Sequence, residues 1–196
     1  DLNGTPLPLD TDKVEGYLRT LRNLELTDYV TYTAGGEDLA AIRDCSVFAD
    51  VTAESDAPPV VEFANVEVGG LSAESNLNQC AVSGCVVAGD LYARGPGASV
   101  QGMGAGVTYE NCSVTGTISA LADVSGYPAD AGGIAIYGGM PEEEGSSRFS
   151  GCTVDGAVSA ESLDGEAAAG GIVAAALADA AEYTDCVTYG AISAVT

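Results

Sequence analysis

Six cysteines and a large excess of carboxylates are the residues of this chain with chemical potential. Cys45, Cys80, Cys85, Cys112, Cys152 and Cys186 could pair as disulfides, ligate a metal or act as nucleophiles. The sequence holds no histidine. That removes the Ser-His-Asp and Cys-His pairs and every histidine-containing zinc site. Zinc held by thiolates alone would need paired Cys-x-x-Cys spacing; Cys80 and Cys85 have four residues between them, and there is no second pair. Carboxylate pairs are plentiful, such as Asp123 with Asp130 or the run Glu142-Glu143-Glu144. Two carboxyls about 5–10 Å apart suffice for glycoside hydrolysis. Their usual basic partners are scarce: Lys13, Arg19, Arg22, Arg43, Arg94 and Arg148 are scattered along the chain.

With 29 acidic and 6 basic residues the net charge is −23. Affinity for nucleic acid and for anionic lipid comes from Lys and Arg, so both partners are excluded. Acidity of this kind suits a solvated outer face and is compatible with weak cation binding. Calcium is the one cofactor to consider, at the acidic, glycine-rich loop from Tyr137 to Gly145. That loop lacks both the EF-hand spacing and the nonapeptide pattern of calcium-binding β-rolls, and reads better as a protruding polar loop. No apolar run reaches the ~18–20 residues of a membrane helix. The best stretch, Ala167 to Ala178, is broken by Gly170 and Gly171.

The elements that carry these residues follow from a recurring phrase: Cys, x, Val, x, Gly, x, Val or Ile, a small residue, Ala. Copies begin at Cys80, Cys112, Cys152 and Cys186, and Cys45-Ser46-Val47 opens a looser one. Val66 stands in for the cysteine in a shortened copy running from Phe63 to Ser75. Alternating apolar positions mark strands, and repetition at such periods marks stacked coils. In Cys152-Thr153-Val154-Asp155-Gly156, alternation sends Cys152 and Val154 inward and Thr153 and Asp155 outward. Gly156 then allows a bend, after which Val158 and Ala160 resume the inward set. Two further signals precede the cysteines. Ala131-Gly132-Gly133-Ile134 and Ala169-Gly170-Gly171-Ile172 mark another corner, and Tyr109, Phe149 and Tyr183 each lie three residues before a cysteine.

The cysteines therefore read as an inward ladder of small buried side chains rather than as a disulfide or metal framework. Cys85 has the opposite parity to Cys80 in this alignment, so it is expected to face outward or to occupy a corner, with the most reactive thiol. Composition agrees with a narrow interior: aromatics are 6% of residues, tryptophan is absent, and Ala, Val and Gly dominate. Such side chains cannot fill a wide core but suit closely spaced layers. Residues 1–33 do not fit the repeat. They read as an N-terminal cap, with a short helix over Lys13–Arg22 and a strand over Tyr29–Thr33.

The Gly-Gly-Ile/Leu phrase followed by an aromatic and a Cys/Ser-x-Val-x-Gly-x-Val-Ser phrase resembles the GLUG-type repeats of bacterial surface and adhesin-like proteins. The resemblance spans roughly Ala34 to Thr196 and is best from Ala131 onward. It implies an extracellular or cell-surface module, with targeting and anchoring segments outside this stretch and no catalytic residues to carry over.

The expected fold is thus all-β: a right-handed parallel β-helix of about six irregular rungs over residues 34–196, capped by residues 1–33. The expected function is non-catalytic, a spacer or adhesion segment. The alternatives are a carbohydrate-active β-helix enzyme and a glycan-binding module without chemistry. Loops on one side of a solenoid build its interaction surface. Tyr92, Tyr127, Tyr137, Glu142, Glu143 and Glu144 are the candidate contact residues, for a surface glycan or a protein partner.

Overall fold

The computed structural model of the protein describes residues 41–56, 65–73, 80–104, 108–138, 147–176 and 181–196, all within one compact unit, Ala34–Thr196. The cap expected at residues 1–33 lies outside the described residues. These residues form strands only, so none supplies a helix long and apolar enough to cross a membrane.

The described residues wind through five coils. The first holds β1 (Ala41–Arg43), β2 (Ser46–Phe48), β3 (Val51–Glu54) and β4 (Asn65–Gly69). The second holds β5 (Ala81–Ser83), β6 (Val86–Ala88), β7 (Leu91–Gly95) and β8 (Gly97–Gln101). The third runs through β9 (Thr108–Glu110), β10 (Ser113–Thr115), β11 (Ile118–Ala122), β12 (Ala129–Gly132) and β13 (Ala135–Gly138). The fourth comprises β14 (Ser147–Ser150), β15 (Thr153–Asp155), β16 (Val158–Ser162), β17 (Ala167–Gly170) and β18 (Val173–Ala176). In the fifth, β19 (Ala181–Thr184), β20 (Val187–Tyr189) and β21 (Ile192–Val195) close the described chain.

Equal strands of successive coils pair in parallel. They form sheets β1-β5-β9-β14-β19, β2-β6-β10-β15-β20, β3-β7-β11-β16-β21, β4-β8-β12-β17 and β13-β18. The architecture is a parallel β-helix. The spacing of cysteine-equivalent positions suggests about six rungs, and the described residues form five. Val66 accounts for the difference: it pairs with Ala98 on the fourth sheet. The stretch around it is the last face of the first coil, not a coil of its own.

The register also corrects the position of the second cysteine. Val86 pairs with both Ser46 and Ser113, so Cys85, not Cys80, stands between Cys45 and Cys112. Thr153 pairs with Ser113 and Val187, which adds Cys152 and Cys186 to the ladder. The second copy of the phrase is therefore Cys85-Val86-Val87-Ala88-Gly89-Asp90-Leu91-Tyr92-Ala93. The two alignments differ by five residues, an odd shift that exchanges the inward and outward faces. The corner before each ladder cysteine decides between them. Asp44, Gly84, Asn111, Gly151 and Asp185 hold that corner with φ of 53°, 62°, 52°, 61° and 53°. Gly, Asn and Asp are the residues that tolerate this left-handed conformation. The slipped alignment would have put Gln79 there.

The correction reverses the expectation for Cys85, which is wholly buried at 0% exposure, while Cys45 is exposed and Cys186 half-buried. Each ladder thiol leans on the carbonyl two residues earlier, as Cys85 does on Ser83 O at 3.3 Å and Cys152 on Ser150 O at 3.5 Å. The inner thiols also lean on the preceding coil, Cys112 on Val82 O and Cys152 on Tyr109 O, both at 3.6 Å. Burial pushes the Cys85 thiol above its usual pKa. A thiolate reagent applied to the native protein should therefore modify Cys45 first and Cys186 second. Peptide mapping that finds Cys85 modified ahead of Cys45 would contradict this register.

Small side chains fill the interior as expected. Val87, Val114 and Val154 form one inward row, and Leu91, Ile118 and Val158 another, all at 0% exposure. Opposite the valines runs Gly70, Gly102, Gly133 and Gly171, each placed against the next coil. A β-carbon on Gly133 would lie 2.8 Å from Val154 Cγ2 and would also meet the Gly171 carbonyl oxygen. The aromatic positions stack along the axis. Tyr109 and Phe149 have centroids 5.0 Å apart with planes 6° from parallel, and Phe149 and Tyr183 follow at 5.2 Å and 9°. Each such pair adds roughly 0.5–1.5 kcal/mol beyond its buried area.

Candidate functional site

The outward rows carry the polar chemistry. On the fourth sheet the Gly-Gly corner aligns Val68-Gly69-Gly70-Leu71 with Ala131-Gly132-Gly133-Ile134. Glu67 and Asp130 thereby pair with opposite sides of Ser99 and occupy one outward row, two coils apart. At the usual strand spacing that separates their backbones by about 10 Å. Ser99 is nearly buried between them, at 7% exposure. The chain turns back at Gly133-Ile134, and β13 brings Tyr137 to the same carboxylates.

The electrostatics record that convergence. Burial, and then the negative charge of Glu166, raise Asp130 above its usual carboxylate range. Burial raises the Tyr137 phenol, with Asp130 and Glu67 adding to the effect. Asp130 is half-buried, so solvent screens part of these interactions. A raised Asp130 destabilises the fold in a defined pH window. Above the ordinary value of 3.8 the unfolded chain has lost a proton that the folded chain still holds, so stability falls as pH rises through that window and stays lowered above it. Asp130→Asn should therefore be more stable than the parent at neutral pH and equal to it below the window. Denaturant titrations at both pH values test this; an equal difference at the two would contradict it.

The contact residues expected from the sequence are described only in part. Tyr92 lies on the outward side of β7, Tyr127 on the connection between β11 and β12, and Tyr137 on β13. The Tyr127 carbonyl accepts a hydrogen bond from Ser162 Oγ at 2.6 Å, so its backbone serves to fasten neighbouring coils. Glu142, Glu143 and Glu144 lie outside the described residues. Among the described residues no three acidic, cysteine or histidine side chains are grouped as a metal site would require.

Arginines lie elsewhere. Arg94 on β7 reaches Asp123 at 2.9 Å and Asp56 at 3.7 Å, bracing coils on either side of its own. Arg148 on β14 binds Glu182 on β19, with Nε and one terminal nitrogen each 3.0 Å from the same oxygen. The Glu67–Asp130–Tyr137 arrangement escaped the sequence because the Val66 segment was placed against the cysteine phrase. Anchoring it by Gly69-Gly70 instead puts Glu67 and Asp130 at the same offset from their glycines. No family model, curated protein or solved structure matches this chain.

Proposed function

We propose that this chain is a non-catalytic repeat module of an extracellular, cell-surface protein of bacterial type, acting as a spacer or adhesion segment. The observation that carries the reading is the set of inward rows: five coils share one register, with a cysteine at every ladder position and valine at the next inward position in four of them, Thr188 taking its place in the fifth. Sequence is spent on stacking rather than on one singular pocket. The Gly-Gly-Ile/Leu corner, now aligned in coils one, three and four and loosened to Gln101-Gly102-Met103 in coil two, strengthens the likeness to GLUG-type surface repeats. A stiff rod with a solvated acidic exterior is what such a stalk needs.

One observation favours a second reading. Glu67 and Asp130 share one outward row with backbones about 10 Å apart, from which two carboxyls could converge as glycoside hydrolysis needs, and burial raises Asp130 in the direction a general acid requires. Against it, the described arginines sit on other faces, where Arg94 and Arg148 are engaged in ion pairs. A glycan array run beside polysaccharide-degradation assays, with Glu67→Gln and Asp130→Asn as controls, separates the two. Absence of turnover, with or without glycan binding, is expected. Turnover that both substitutions abolish would replace the module reading by the enzyme.

A further inference from the structure

The outer side of the fourth sheet is partly roofed by the chain's own return. After the Gly-Gly corners the backbone doubles back: a β-carbon on Gly69, Gly132 or Gly170 would meet the carbonyl oxygen of Ser72, Ala135 or Val173. β13 and β18, which follow two of these corners, pair as a small second sheet, and Ala135 and Ile136 in it are buried. Outward residues that would otherwise face solvent are enclosed here, Gln101 at 2% exposure and Ser99 at 7%. Gln101 uses its amide, donating to the Ala73 carbonyl at 3.0 Å and the Ser72 carbonyl at 3.4 Å. The Ser99 hydroxyl has no partner among the described residues. Every fully enclosed side-chain nitrogen or oxygen among them is hydrogen-bonded, so the small part of Ser99 that solvent touches includes its hydroxyl.

Acid surrounds that hydroxyl. Glu67 and Asp130 flank Ser99 in its own row, the charge of Glu166 acts on Asp130, and Tyr137 feels both Glu67 and Asp130. The described arginines lie on other sheets, Arg43 and Arg148 on the first and Arg94 on the third, so none of them offsets this charge. A metal ion fits poorly, because among the described residues no three acidic side chains are grouped closely enough to share one. An organic ammonium group asks less of its site. It presents three N–H donors that can go to separate acceptors, a hydroxyl among them, and it gains from an aromatic ring alongside.

We propose that this niche, with Ser99 enclosed between Glu67 and Asp130 and Tyr137 at its rim, binds an amino sugar of the glucosamine type through its ammonium group. The amine donates to the Asp130 carboxylate and to Ser99 Oγ, and the sugar ring lies against the exposed part of Tyr137 with a hydroxyl toward Glu67. A sugar is favoured over an aliphatic amine because Tyr137 offers an apolar face and a polar tip together, as a ring with hydroxyl edges requires. The inference rests on the adhesion branch of the module reading, which it deepens by naming the ligand class.

The test is an amide NMR titration of the full chain at neutral pH with a glucosamine tetramer, run beside its N-acetylated counterpart and spermidine. The expected result is saturable shifts at Ser99, Asp130 and Tyr137 for the glucosamine tetramer, with both comparison ligands at least roughly tenfold weaker. Asp130→Asn, expected above to be the more stable protein, and Ser99→Ala should each weaken binding roughly tenfold while circular dichroism stays unchanged. Glu161→Gln removes the same charge from the exposed side of β16 and should leave binding as it was. No saturable shift, or equal binding of the N-acetylated tetramer or of spermidine, overturns the proposal. So does equal weakening by Asp130→Asn and Glu161→Gln, which would mean diffuse attraction to an acidic surface. Hydrolysis of the bound tetramer would end the non-catalytic reading while upholding this site, whereas absence of binding would end the site and leave the spacer reading standing.

Discussion

Val154→Asp should leave the chain without a cooperative fold at neutral pH. Val154 is fully buried in the fourth coil, with Val114 before it and Thr188 after it in the same row. The glycine row presses on it from across the interior, so neither water nor a counter-charge has room to enter. An unpaired buried carboxylate costs several kcal/mol even after relaxation, against a total stability of roughly 5–15 kcal/mol for a domain. Thr153→Asp, one residue away on the outward face, should shift stability by no more than about 1 kcal/mol. Thermal melts followed by far-UV circular dichroism compare the two. A folded Val154→Asp beside an unfolded Thr153→Asp would mean that the two faces are exchanged.

Gly133→Ala should be the other severe substitution, for a steric rather than an electrostatic reason. The added methyl would meet the Gly171 carbonyl oxygen and lie 2.8 Å from Val154 Cγ2. Backbone of the adjacent coil cannot rotate aside as a side chain could, so the coils must separate and stretch the ladder hydrogen bonds at that corner. Overpacking costs typically about 1–3 kcal/mol, and this site belongs at the upper end because backbone must move. Gly126→Ala is the control. Gly126 has φ of 84° but nothing within 4 Å of the added carbon, so only backbone strain of about 1 kcal/mol opposes it. Denaturant midpoints measure the difference, and equal losses at the two sites would refute the close approach of coils at Gly133.

Much of the fold was legible because it is periodic. Cys152, Val154, Val158 and Ala160 point inward and Asp155 outward, as strand alternation requires. The aromatic three residues before the cysteine stacks from coil to coil, and Gly-Gly-Ile is a corner. The errors arose where two periodic matches competed. Cys80 and Cys85 both begin acceptable copies of the phrase, and alternation alone cannot choose between alignments five residues apart. The left-handed corner chooses, because Gly84 can occupy it where Gln79 would be strained. The candidate site was less legible for a related reason. Glu67, Asp130, Glu166 and Tyr137 belong to three coils and meet only through register, so one misplaced segment hid the whole group. Outward residues have no packing partner to constrain their type, and their pattern carries little signal in a single sequence.

Register is the claim on which the rest depends, from the buried Cys85 to the shared row of Glu67 and Asp130. It is tested most directly by NMR correlation across hydrogen bonds, which links an amide nitrogen to the carbonyl carbon that accepts its proton. In the structure Ser113 N–H donates to Cys85 O at 2.9 Å, and Thr153 N–H to Cys112 O at 2.9 Å. The account predicts a cross-peak from Ser113 nitrogen to Cys85 carbonyl carbon. A cross-peak from Ser113 to Cys80 instead would restore the slipped alignment and contradict the coil stack described above.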